Sequence, residues 1–305
     1  MSSLFAPSSP LHEQFLSKLR NLSPTDKMQA LTYDGVGKWK VVEKEIPKIQ
    51  EGTDAIVKLV RTTICGTDLH ILKGDVPTVE KGRTLGHEGI GVITETGAEL
   101  KNFKKGWILG HTHDGTQAEY VRIRYADSSL FAVPEGVDER SLLVFSDILP
   151  TGLEVGTLRG KVTPGCTVAI VGAGPVGLAA GITAQLYAPR KLVFFDMDDY
   201  RLEVARKIGA THTYNVRDVS DIRSLASEHE AVGLPTTFQM CQDLVGLGGH
   251  IANMGVHGQP VDLQIHRLWS RSISISMALV SAHTIPTLLD LAVAGKVDGG
   301  LMVTH

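Results

Sequence analysis

Cysteine is scarce in this sequence. The chain has 3 Cys among 305 residues, namely Cys65, Cys166 and Cys241. Three scattered cysteines do not make the paired framework of a small disulfide-rich secreted domain. The count therefore favours a reducing compartment, and we expect a cytoplasmic protein.

The sequence also lacks a long apolar run and a strong excess of either charge. No run approaches the roughly 20 apolar residues that a membrane-spanning helix needs, so we expect no membrane partner. Lys and Arg number 30 against 33 Asp and Glu, and the net charge is -3. No basic patch dominates, which argues against a nucleic acid partner. Hydrophobic content of 43% is ordinary for a globular protein.

The first 27 residues have no secretory signature. They lack a charged start followed by an apolar core. A transit peptide would contain more Arg and no Glu, and this segment has little Arg and does contain Glu. Leu11, Phe15, Leu19 and Leu22 fall at helical spacing, so a short docking helix is one interpretation. A flexible extension over residues 1–27 is the one we favour.

Two hydrophobic patterns divide the rest of the chain. From Met28 to about Pro150, short runs rich in Val, Ile, Thr and Tyr are broken by Gly and Pro, which predicts a mostly β domain. Beyond Pro150, apolar strands alternate with helices, which predicts a parallel sheet with helices on both faces. The fold class is therefore α/β. We place the domains at 28–157 and 158–298, with 299–305 as the start of a third segment.

A glycine-rich turn follows the first strand of the second domain. The turn comes after the apolar run TVAIV and opens an apolar helix, and Asp196 ends the next strand about 20 residues later. This context matches the dinucleotide-binding fingerprint, in which the pyrophosphate lies at the helix N-terminus. Asp196 would bind the ribose hydroxyls and repel a 2′-phosphate, which favours NAD over NADP. A turn without a ligand is the alternative. The residues assigned to the turn are Gly172, Gly174, Pro175, Val176 and Gly177.

A second group of residues has the chemistry of a metal site. Cys65 lies in TTICGTDLH, His87 and Glu88 lie in LGHEGIG, and Asp147 lies in VFSDILPTG. A thiolate, an imidazole and a carboxylate suit Zn²⁺, and three ligands with one open position are typical of catalytic zinc. Each residue alone has a structural alternative: a buried thiol, a polar pair or a helix N-cap. Their order before a dinucleotide domain favours the metal.

These motifs together resemble the medium-chain, zinc-dependent alcohol dehydrogenase family, within it the microbial branch that uses Asp as the third zinc ligand. The resemblance covers most of the chain from Met28 to His305. It implies a GroES-like catalytic domain followed by a Rossmann domain. The matching segments are CGTDLH (65–70), GHEGIG (86–91), DGTQAEYV (114–121), SDILPTG (146–152) and VAIVGAGPVG (168–177).

The resemblance implies a role for each site residue. Cys65, His87 and Asp147 would bind one catalytic zinc, and Glu88 would stand behind it or replace a ligand. Thr67 would take the substrate hydroxyl proton, and His70 would pass it towards solvent through the cofactor ribose. Thr151 would lie near the nicotinamide, Gly255 and Val256 at its carboxamide, and Arg201 along the adenosine.

The implied reaction is reversible hydride transfer between NAD and a small primary or secondary alcohol, with an aldehyde or ketone as the product. Zinc would act as the Lewis acid. Relatives pair through the last Rossmann strand, so a homo-oligomer through residues 272–280 is possible.

The chain departs from the family pattern in three places. At Gly106–Trp107, a strand and the lobe that holds a structural zinc are absent, in agreement with the low cysteine count. Between ASEHE and AVGLP, the strand that would lie beside TVAIV is absent. We therefore expect either that residues 250–256 move up to pair with TVAIV or that the sheet is gapped. The chain also stops at LMVTH, before a return segment that completes the catalytic domain.

These departures keep two alternatives to an active dehydrogenase open. One is a non-catalytic relic or mis-spliced product that folds in part and turns nothing over. The other is a zinc-free reductase of the same superfamily, which ranks last because Cys65, His87 and Asp147 are all retained.

Overall fold

The computed structural model of this chain describes residues 27–99, 109–218 and 235–303. Two compact units, Met1–Phe131 and Ala132–His305, divide the chain. Residues 1–26 of the predicted extension (1–27), the Gly106–Trp107 junction, the ASEHE–AVGLP junction and the final His305 lie outside the described residues. Lys27, the last residue of that extension, is the first residue of a strand.

The first unit is mostly β structure, as the sequence predicts. β1 and β2 form an antiparallel pair, and β3 lies between β4 and β5 in a second antiparallel sheet. β1 alternates buried and exposed residues over its first half, which is the pattern of a strand with one face on a core. The elements are β1 (Lys27–Tyr33), β2 (Trp39–Glu45), β3 (Ala55–Thr62), α1 (Gly66–Lys73), β4 (Gly89–Thr96), β5 (Tyr120–Ile123) and α2 (Ala126–Ser129).

The second unit alternates strands and helices, again as predicted. It begins with a helical run that includes a 3-10 turn (Leu143–Phe145) and a π-helical segment (Gly152–Leu158). A last 3-10 turn covers Gly300–Met302. The other elements are α3 (Glu139–Leu142), α4 (Ile148–Thr151), β6 (Thr167–Val171), α5 (Pro175–Gln185), β7 (Lys191–Asp196), α6 (Asp199–Lys207), β8 (His212–Asn215), α7 (Pro235–Leu244), β9 (His250–Asn253), α8 (Ile265–Leu268), β10 (Ser274–Met277) and α9 (Ile285–Val293).

The parallel sheet of this unit is interrupted among the described residues. β6, β7 and β8 form one three-stranded parallel sheet, with β7 in the centre. β9 and β10 form a separate parallel pair. Of the two outcomes expected from the sequence, the pairing of residues 250–256 with TVAIV is not seen, because β9 does not pair with β6 among the described residues.

The core of the second unit lies around the central strand. Phe194 and Phe195 of β7 point to opposite faces and are both fully buried, as expected for a parallel strand covered by helices on both sides. Ala169 and Val171 of β6 pack in the same core as Phe195. This continuous apolar composition is what makes the strand recognisable in the sequence.

The helical run before β6 belongs by its packing to the second unit. Gly152 lies so close to α5 that an added Cβ would be 2.5 Å from the Ala179 carbonyl carbon. Thr157 Oγ1 forms a 2.8 Å hydrogen bond with Thr183 Oγ1. This run lies in the compact unit that begins at Ala132, and the domain boundary at residue 157 stays a prediction. These helices pack on α5, although the sequence analysis assigns the motif SDILPTG (146–152) within them to the first domain.

No single helix of the described residues is both long and apolar enough to cross a membrane. Only a pair of helical segments, Glu139–Phe145 and Ile148–Leu158, reaches that length and composition when taken together, and the pair is bent by 45°.

Candidate catalytic metal centre and nucleotide site

The start of α1 positions Cys65. Cys65 is the N-cap residue of this helix, with extended backbone angles. Asp68, at the third helical position, reaches back so that its Oδ2 accepts a 2.9 Å hydrogen bond from the Cys65 N–H. This is the carboxylate half of a capping box, which fixes the entry of the chain into the helix. The thiol is therefore held at the N-terminus of α1.

Asp68 also joins α1 to the strand and turn opposite. Its carboxylate is 2% exposed and accepts from the Gly86 N–H at 3.1 Å and from Gln117 Nε2 at 2.9 Å. Gln117 Nε2 donates as well to the Thr63 carbonyl at 3.0 Å. One buried carboxylate thus ties the backbone at Cys65 to the backbone just before His87.

A tight turn brings His87 to this cluster. Gly86 has a φ of +88°, and an added Cβ would lie 2.7 Å from Thr116 Oγ1 and 2.8 Å from the Gln117 nitrogen. Only glycine fits this close approach and this left-handed backbone. His87 Nδ1 lies 3.9 Å from Asp68 Oδ1. The glycine of GHEGIG is therefore required by the close packing of this turn against Thr116 and Gln117.

Glu88 is fully buried next to His87. Its Oε1 lies 3.8 Å from His87 Nε2. Its main-chain carbonyl accepts hydrogen bonds from Thr62 Oγ1 at 2.9 Å and from Thr116 Oγ1 at 2.8 Å. Two hydroxyls thereby hold the backbone between β3 and β4, and the carboxylate is fixed inside the unit.

The residues of the first unit fit a zinc ion. Cys65, His87 and Glu88 each offer a ligand atom, and these atoms lie within 4.8 Å of one another. Tetrahedral zinc with bonds of about 2.0–2.3 Å separates its ligand atoms by roughly 3–4 Å, so small side-chain rotations complete the site. Sulfur, nitrogen and carboxylate oxygen form a donor set typical of zinc.

His70 lies on α1 and has a carboxylate partner that the sequence reading did not identify. Its Nδ1 is 2.7 Å from Asp75 Oδ2. Gly74, with a φ of +89°, ends the helix, and the Asp75 N–H returns to the His70 carbonyl at 3.0 Å. This Schellman geometry brings Asp75 beside the ring. A carboxylate on Nδ1–H makes Nε2 the basic nitrogen of the imidazole.

The remaining residues predicted for the chemistry are divided between the two units. In the first unit, Thr67 Oγ1 lies 3.8 Å from Cys65 Sγ. In the second, Asp147 immediately precedes α4 and is half-buried. Thr151 donates from Oγ1 to Asp147 Oδ1 at 3.2 Å and from its N–H to the Asp147 carbonyl at 2.9 Å. The Asp147 carboxylate is thus oriented by Thr151 within its own unit.

The glycine turn after β6 has the conformation that its sequence predicts. Gly172 has a φ of +108°, and its N–H donates to the Phe195 carbonyl at 2.6 Å. An added Cβ on Gly177 would lie 1.9 Å from the Gly172 carbonyl oxygen. Gly174 is the N-cap of α5, and an added Cβ there would meet nothing within 4 Å. Pro175 and Val176 then open the helix. Two of the glycines shape the turn, and the third faces open space.

Asp196 ends β7 next to this turn. Its side chain is buried, and Oδ2 accepts from the Ala173 N–H at 2.6 Å while Oδ1 accepts from the Asp198 N–H at 2.9 Å. The carboxylate therefore fixes the Gly172–Gly174 turn. Arg201 lies in the first turn of α6, where its N–H donates to Asp198 Oδ1 at 3.3 Å.

The end of β9 leads into the last two predicted cofactor residues. The Gly255 carbonyl accepts from Asn253 Nδ2 at 3.1 Å. Asn253 Oδ1 lies 3.0 Å from His257 Nε2, so one amide side chain shapes the whole loop. Val256 is 45% exposed on that loop. The loop follows the carboxyl end of a parallel strand, the edge at which such sheets bind ligands.

Three carboxylates, two of them buried, were missed or only partly understood from sequence. The only sequence signal for Asp68 and Asp75 is that each is an acidic residue near a candidate site residue in CGTDLHILKGD. Glu154 gave none, because its partners lie far along the chain. Its carboxylate accepts from Ser281 N and Oγ and from Thr284 N and Oγ1 at 2.8–3.1 Å. Burial alone raises the pKa of Glu154, but these four bonds outweigh it and leave the pKa below its ordinary value.

Comparison with known proteins identifies two domains in the chain. The family model described as an alcohol dehydrogenase GroES-like domain matches residues 51–135. The model described as a zinc-binding dehydrogenase matches residues 175–294.

Curated relatives match over nearly the whole chain. An alcohol dehydrogenase of Cupriavidus necator is 30% identical over 92% of this chain and 92% of its own length. Zinc-type alcohol dehydrogenase B of Aspergillus flavus is 32% identical over 88% of this chain and 73% of its own length. The first alignment extends over 339 positions, more than the 305 residues of this chain. This chain is therefore gapped relative to that relative, which agrees with the departures noted in the sequence.

Solved structures share the fold. A zinc-dependent alcohol dehydrogenase 2 from Streptococcus pneumonia superimposes with a TM-score of 0.82 at 42% identity, covering 88% of each chain. The alcohol dehydrogenase TADH from Thermus sp. ATN1 gives a TM-score of 0.80 at 26% identity, covering 89% of this chain and 90% of its own.

Proposed function

Because the chain belongs to the medium-chain zinc-dependent alcohol dehydrogenase family, we propose that it catalyses reversible hydride transfer between NAD and a small primary or secondary alcohol. The observation that carries the proposal is the convergence of Cys65, His87 and Glu88 in the unit that precedes a dinucleotide turn. Its cofactors are catalytic zinc and NAD.

We assign the metal to Cys65, His87 and Asp147, with Glu88 as a carboxylate that exchanges with one of them. A bound zinc would supply Lewis-acid polarisation of the alcohol oxygen. Asp147 is assigned from the family pattern. Replacing each carboxylate separately, as Glu88→Gln and Asp147→Asn, and counting zinc per chain identifies the permanent ligand. Loss of zinc in the Glu88 variant alone would contradict the assignment.

Proton handling falls to Thr67 and His70. Thr67 follows Cys65 by two residues and its hydroxyl lies close to the thiol sulfur, so it can accept the proton of a substrate hydroxyl at that point. His70 has its Nδ1 engaged by Asp75, which leaves Nε2 as the nitrogen that takes up and releases the proton. Asp75 acts through His70 and is a positioning residue.

The nucleotide site is assigned to the turn after β6. The Gly172–Gly177 turn and the start of α5 supply backbone N–H groups and a helix dipole for the pyrophosphate. Asp196 supports NAD over NADP, because a buried carboxylate beside the ribose position repels a 2′-phosphate. Thr151, Arg201, Gly255 and Val256 are assigned along the cofactor from the same family pattern.

One observation favours a second candidate, a non-catalytic relic of such an enzyme. The parallel sheet of the second unit is interrupted between β6 and β9 within the described residues, and β6 is the strand that leads into the glycine turn. A loosened turn would weaken NAD binding without touching the metal ligands.

The test is to express the 305-residue chain, measure zinc per chain and follow NADH formation with 2-propanol and with ethanol. The dehydrogenase predicts one zinc per chain and turnover that is abolished in Cys65→Ser. A folded protein with one zinc and no turnover on any alcohol, aldehyde or ketone would support the relic.

We further propose that residues 28–157 and 158–298 act as the catalytic and NAD-binding domains, and that copies pair through residues 272–280. Met277 and Leu279 of this segment are 65% and 67% exposed, which supports an interface there. The three free cysteines support a cytoplasmic location. Sedimentation velocity of the chain and of Met277→Asp tests the pairing, since a charge on the edge strand should give monomers.

A further inference from the structure

A hydrogen-bonded pair of side chains, Asn253 and His257, holds the loop that follows β9. Asn253 is the last residue of β9, where it lies opposite Met277 of β10, and it is buried. Asn253 Nδ2 donates to the Gly255 carbonyl at 3.1 Å, and Asn253 Oδ1 lies 3.0 Å from His257 Nε2. A side chain anchored in a strand therefore contacts the loop at two points.

These contacts determine which nitrogen of the imidazole faces Asn253 as a donor. The amide nitrogen of Asn253 is engaged by the Gly255 carbonyl, so the atom that faces His257 is the amide oxygen, which can only accept. His257 Nε2 is therefore the nitrogen that carries the proton. His257 Nδ1 is buried and has no hydrogen-bond partner among the described residues. The bond to Asn253 is thus the polar contact that orients this ring.

The core of the second unit fixes the His257 ring from another side. The ring meets Phe238 of α7 edge to face, with the two ring centroids 6.2 Å apart and the planes at 84°. Phe238 is buried and packs in the same core as Val171 and Ile251. The pair is therefore attached to a strand through Asn253 and to a helix of the core through His257.

The same pair sets the direction of the peptide between Gly255 and Val256. A trans peptide is planar, and its N–H points opposite to its C=O. Because Asn253 Nδ2 holds the Gly255 carbonyl, the Val256 N–H points away from Asn253. No residue in the described ranges accepts a hydrogen bond from that N–H, and Val256 is 45% exposed. The loop therefore presents a directed backbone donor to a ligand.

The position and charge of the loop indicate the kind of acceptor that suits this donor. The loop lies at the carboxyl end of a parallel strand, the edge at which such sheets bind ligands. Residues 253–258 include no Lys, Arg, Asp or Glu. A phosphate is held best by charged donors, so a neutral acceptor such as a carboxamide oxygen fits this loop better.

We propose that Asn253 and His257 are positioning residues for the nicotinamide half of NAD. They hold the peptide between Gly255 and Val256 so that its N–H is available to the carboxamide oxygen. This inference rests on the proposed function, which assigns Gly255 and Val256 to the cofactor. Both side chains act through the backbone of the loop, and neither is a catalytic residue.

The test measures binding of NADH and of ADP-ribose to the whole chain. The two ligands share the adenosine and the pyrophosphate, and only NADH has the nicotinamide. Fluorescence titration gives the dissociation constant of NADH, and isothermal titration calorimetry gives that of ADP-ribose. His257→Asn shortens the side chain, so its amide no longer reaches Asn253 Oδ1. Since one hydrogen bond is lost, we expect the dissociation constant of NADH to rise about three- to tenfold and that of ADP-ribose to change by less than about twofold.

Two further variants serve as matched controls. His257→Gln is the conservative one, because its amide nitrogen can take the place of Nε2 and donate to Asn253. It should restore most of the NADH affinity that His257→Asn loses. His266→Asn makes the same change of residue type at an exposed position of α8, and it should leave both dissociation constants unaltered.

Three results would overturn the inference. They are an equal loss of NADH and ADP-ribose affinity in His257→Asn, unchanged constants in that variant, and an equal loss of NADH affinity in His257→Asn and His257→Gln. If the unaltered chain binds ADP-ribose and not NADH, the inference fails while the nucleotide turn stands. If it binds neither ligand, the proposed function fails as well. None of these readouts depends on turnover.

Discussion

Buried carboxylates hold the backbone of this protein at its functional turns. Asp68 accepts from the N–H groups of Cys65 and Gly86, and Asp196 accepts from the N–H groups of Ala173 and Asp198. Glu154 does the same at the start of α9. Hydrogen bonds to a charged acceptor are shorter and about twice as strong as neutral ones. A single charged side chain therefore fixes two segments that are distant in sequence.

Asp68→Asn should loosen the metal site without removing a ligand. The amide has one acceptor oxygen and places an NH₂ group against backbone donors, so the Cys65 and Gly86 segments lose their common anchor. We expect zinc affinity to fall about 10–100-fold, as for other partners that orient ligands. Competition with a zinc chelator measures the change.

Asp75→Asn is the matched control. It makes the same carboxylate-to-amide change at the other end of α1, where Asp75 contacts His70 and not a proposed metal ligand. Zinc affinity should stay at the level of the unaltered chain, while turnover falls roughly tenfold because the imidazole is less well oriented. Loss of zinc in both variants would mean that the effect of Asp68 is general instability.

Glu154→Gln should destabilise the second unit in a pH-dependent manner. The pKa of Glu154 is lower in the folded chain than its ordinary value of 4.5. Its contribution to stability is therefore full above pH 4.5 and is lost as the pH falls through the folded pKa. We expect the variant to lose about 1–3 kcal/mol of unfolding free energy at pH 7 and the difference to shrink in acid.

Urea unfolding at pH 7 and at successive values below pH 4.5 measures this dependence. Glu203→Gln is the control, because Glu203 is an exposed partner of Lys207 in a helical ion pair and such pairs contribute little. A constant difference between Glu154→Gln and the unaltered chain across the pH range would contradict the role of the carboxylate charge.

At the scale of elements, the second unit is built from strand–turn–helix steps that can be recognised in the sequence. TVAIV and KLVFFD form β6 and β7 because short runs of β-branched and aromatic residues bounded by turns favour buried strands. Gly295, with a φ of +66°, follows α9 as a helix-ending glycine should. Each element is specified locally, and the spacing of the glycines specifies the turns.

Replacing two glycines of the dinucleotide turn by alanine should affect different properties: stability in one variant and NAD binding in the other. Gly177→Ala puts a Cβ 1.9 Å from the Gly172 carbonyl oxygen, so the turn must open and we expect a loss of roughly 1–3 kcal/mol of stability. Gly174→Ala meets no atom within 4 Å, so stability should hardly change. It should nevertheless weaken NAD binding, because the Cβ lies where the pyrophosphate approaches the backbone.

Thermal unfolding and a fluorescence titration with NADH separate the two effects. Each variant serves as the control for the other, since both add one methyl group to the same turn. If Gly174→Ala binds NADH as well as the unaltered chain, the turn does not hold the pyrophosphate.

At the scale of the whole molecule, the chain consists of two units that differ in the type and continuity of their described sheets. The first carries the thiol and imidazole proposed as ligands, and its described sheets are antiparallel. The second carries the nucleotide turn, and its parallel sheet is open between β6 and β9 within the described residues. Parallel sheets are normally covered and continuous, so the second unit is the one whose stability a ligand should raise most.

NAD should therefore stabilise the chain, and NADP should not. A ligand at 100 times its dissociation constant adds about 2.7 kcal/mol to the free energy of unfolding, and Asp196 disfavours the 2′-phosphate. Differential scanning calorimetry with each nucleotide at equal concentration checks this. Equal shifts of the melting temperature with NAD and NADP would contradict the assignment of Asp196. The absence of a shift with either would favour the non-catalytic relic.

The sequence by itself determined the family and the order of the two domains, because motifs such as CGTDLH, GHEGIG and the glycine turn are local. The site residues assigned from those motifs stay predictions. It also predicted that the second sheet would be paired anew or gapped. Only the tertiary structure decided that β9 does not pair with β6 within the described residues, since that pairing depends on whether the two strands reach each other. The partners of Asp68, Asp75 and Glu154 were likewise decided by the fold, because hydrogen bonds between distant segments leave no periodic trace in the sequence.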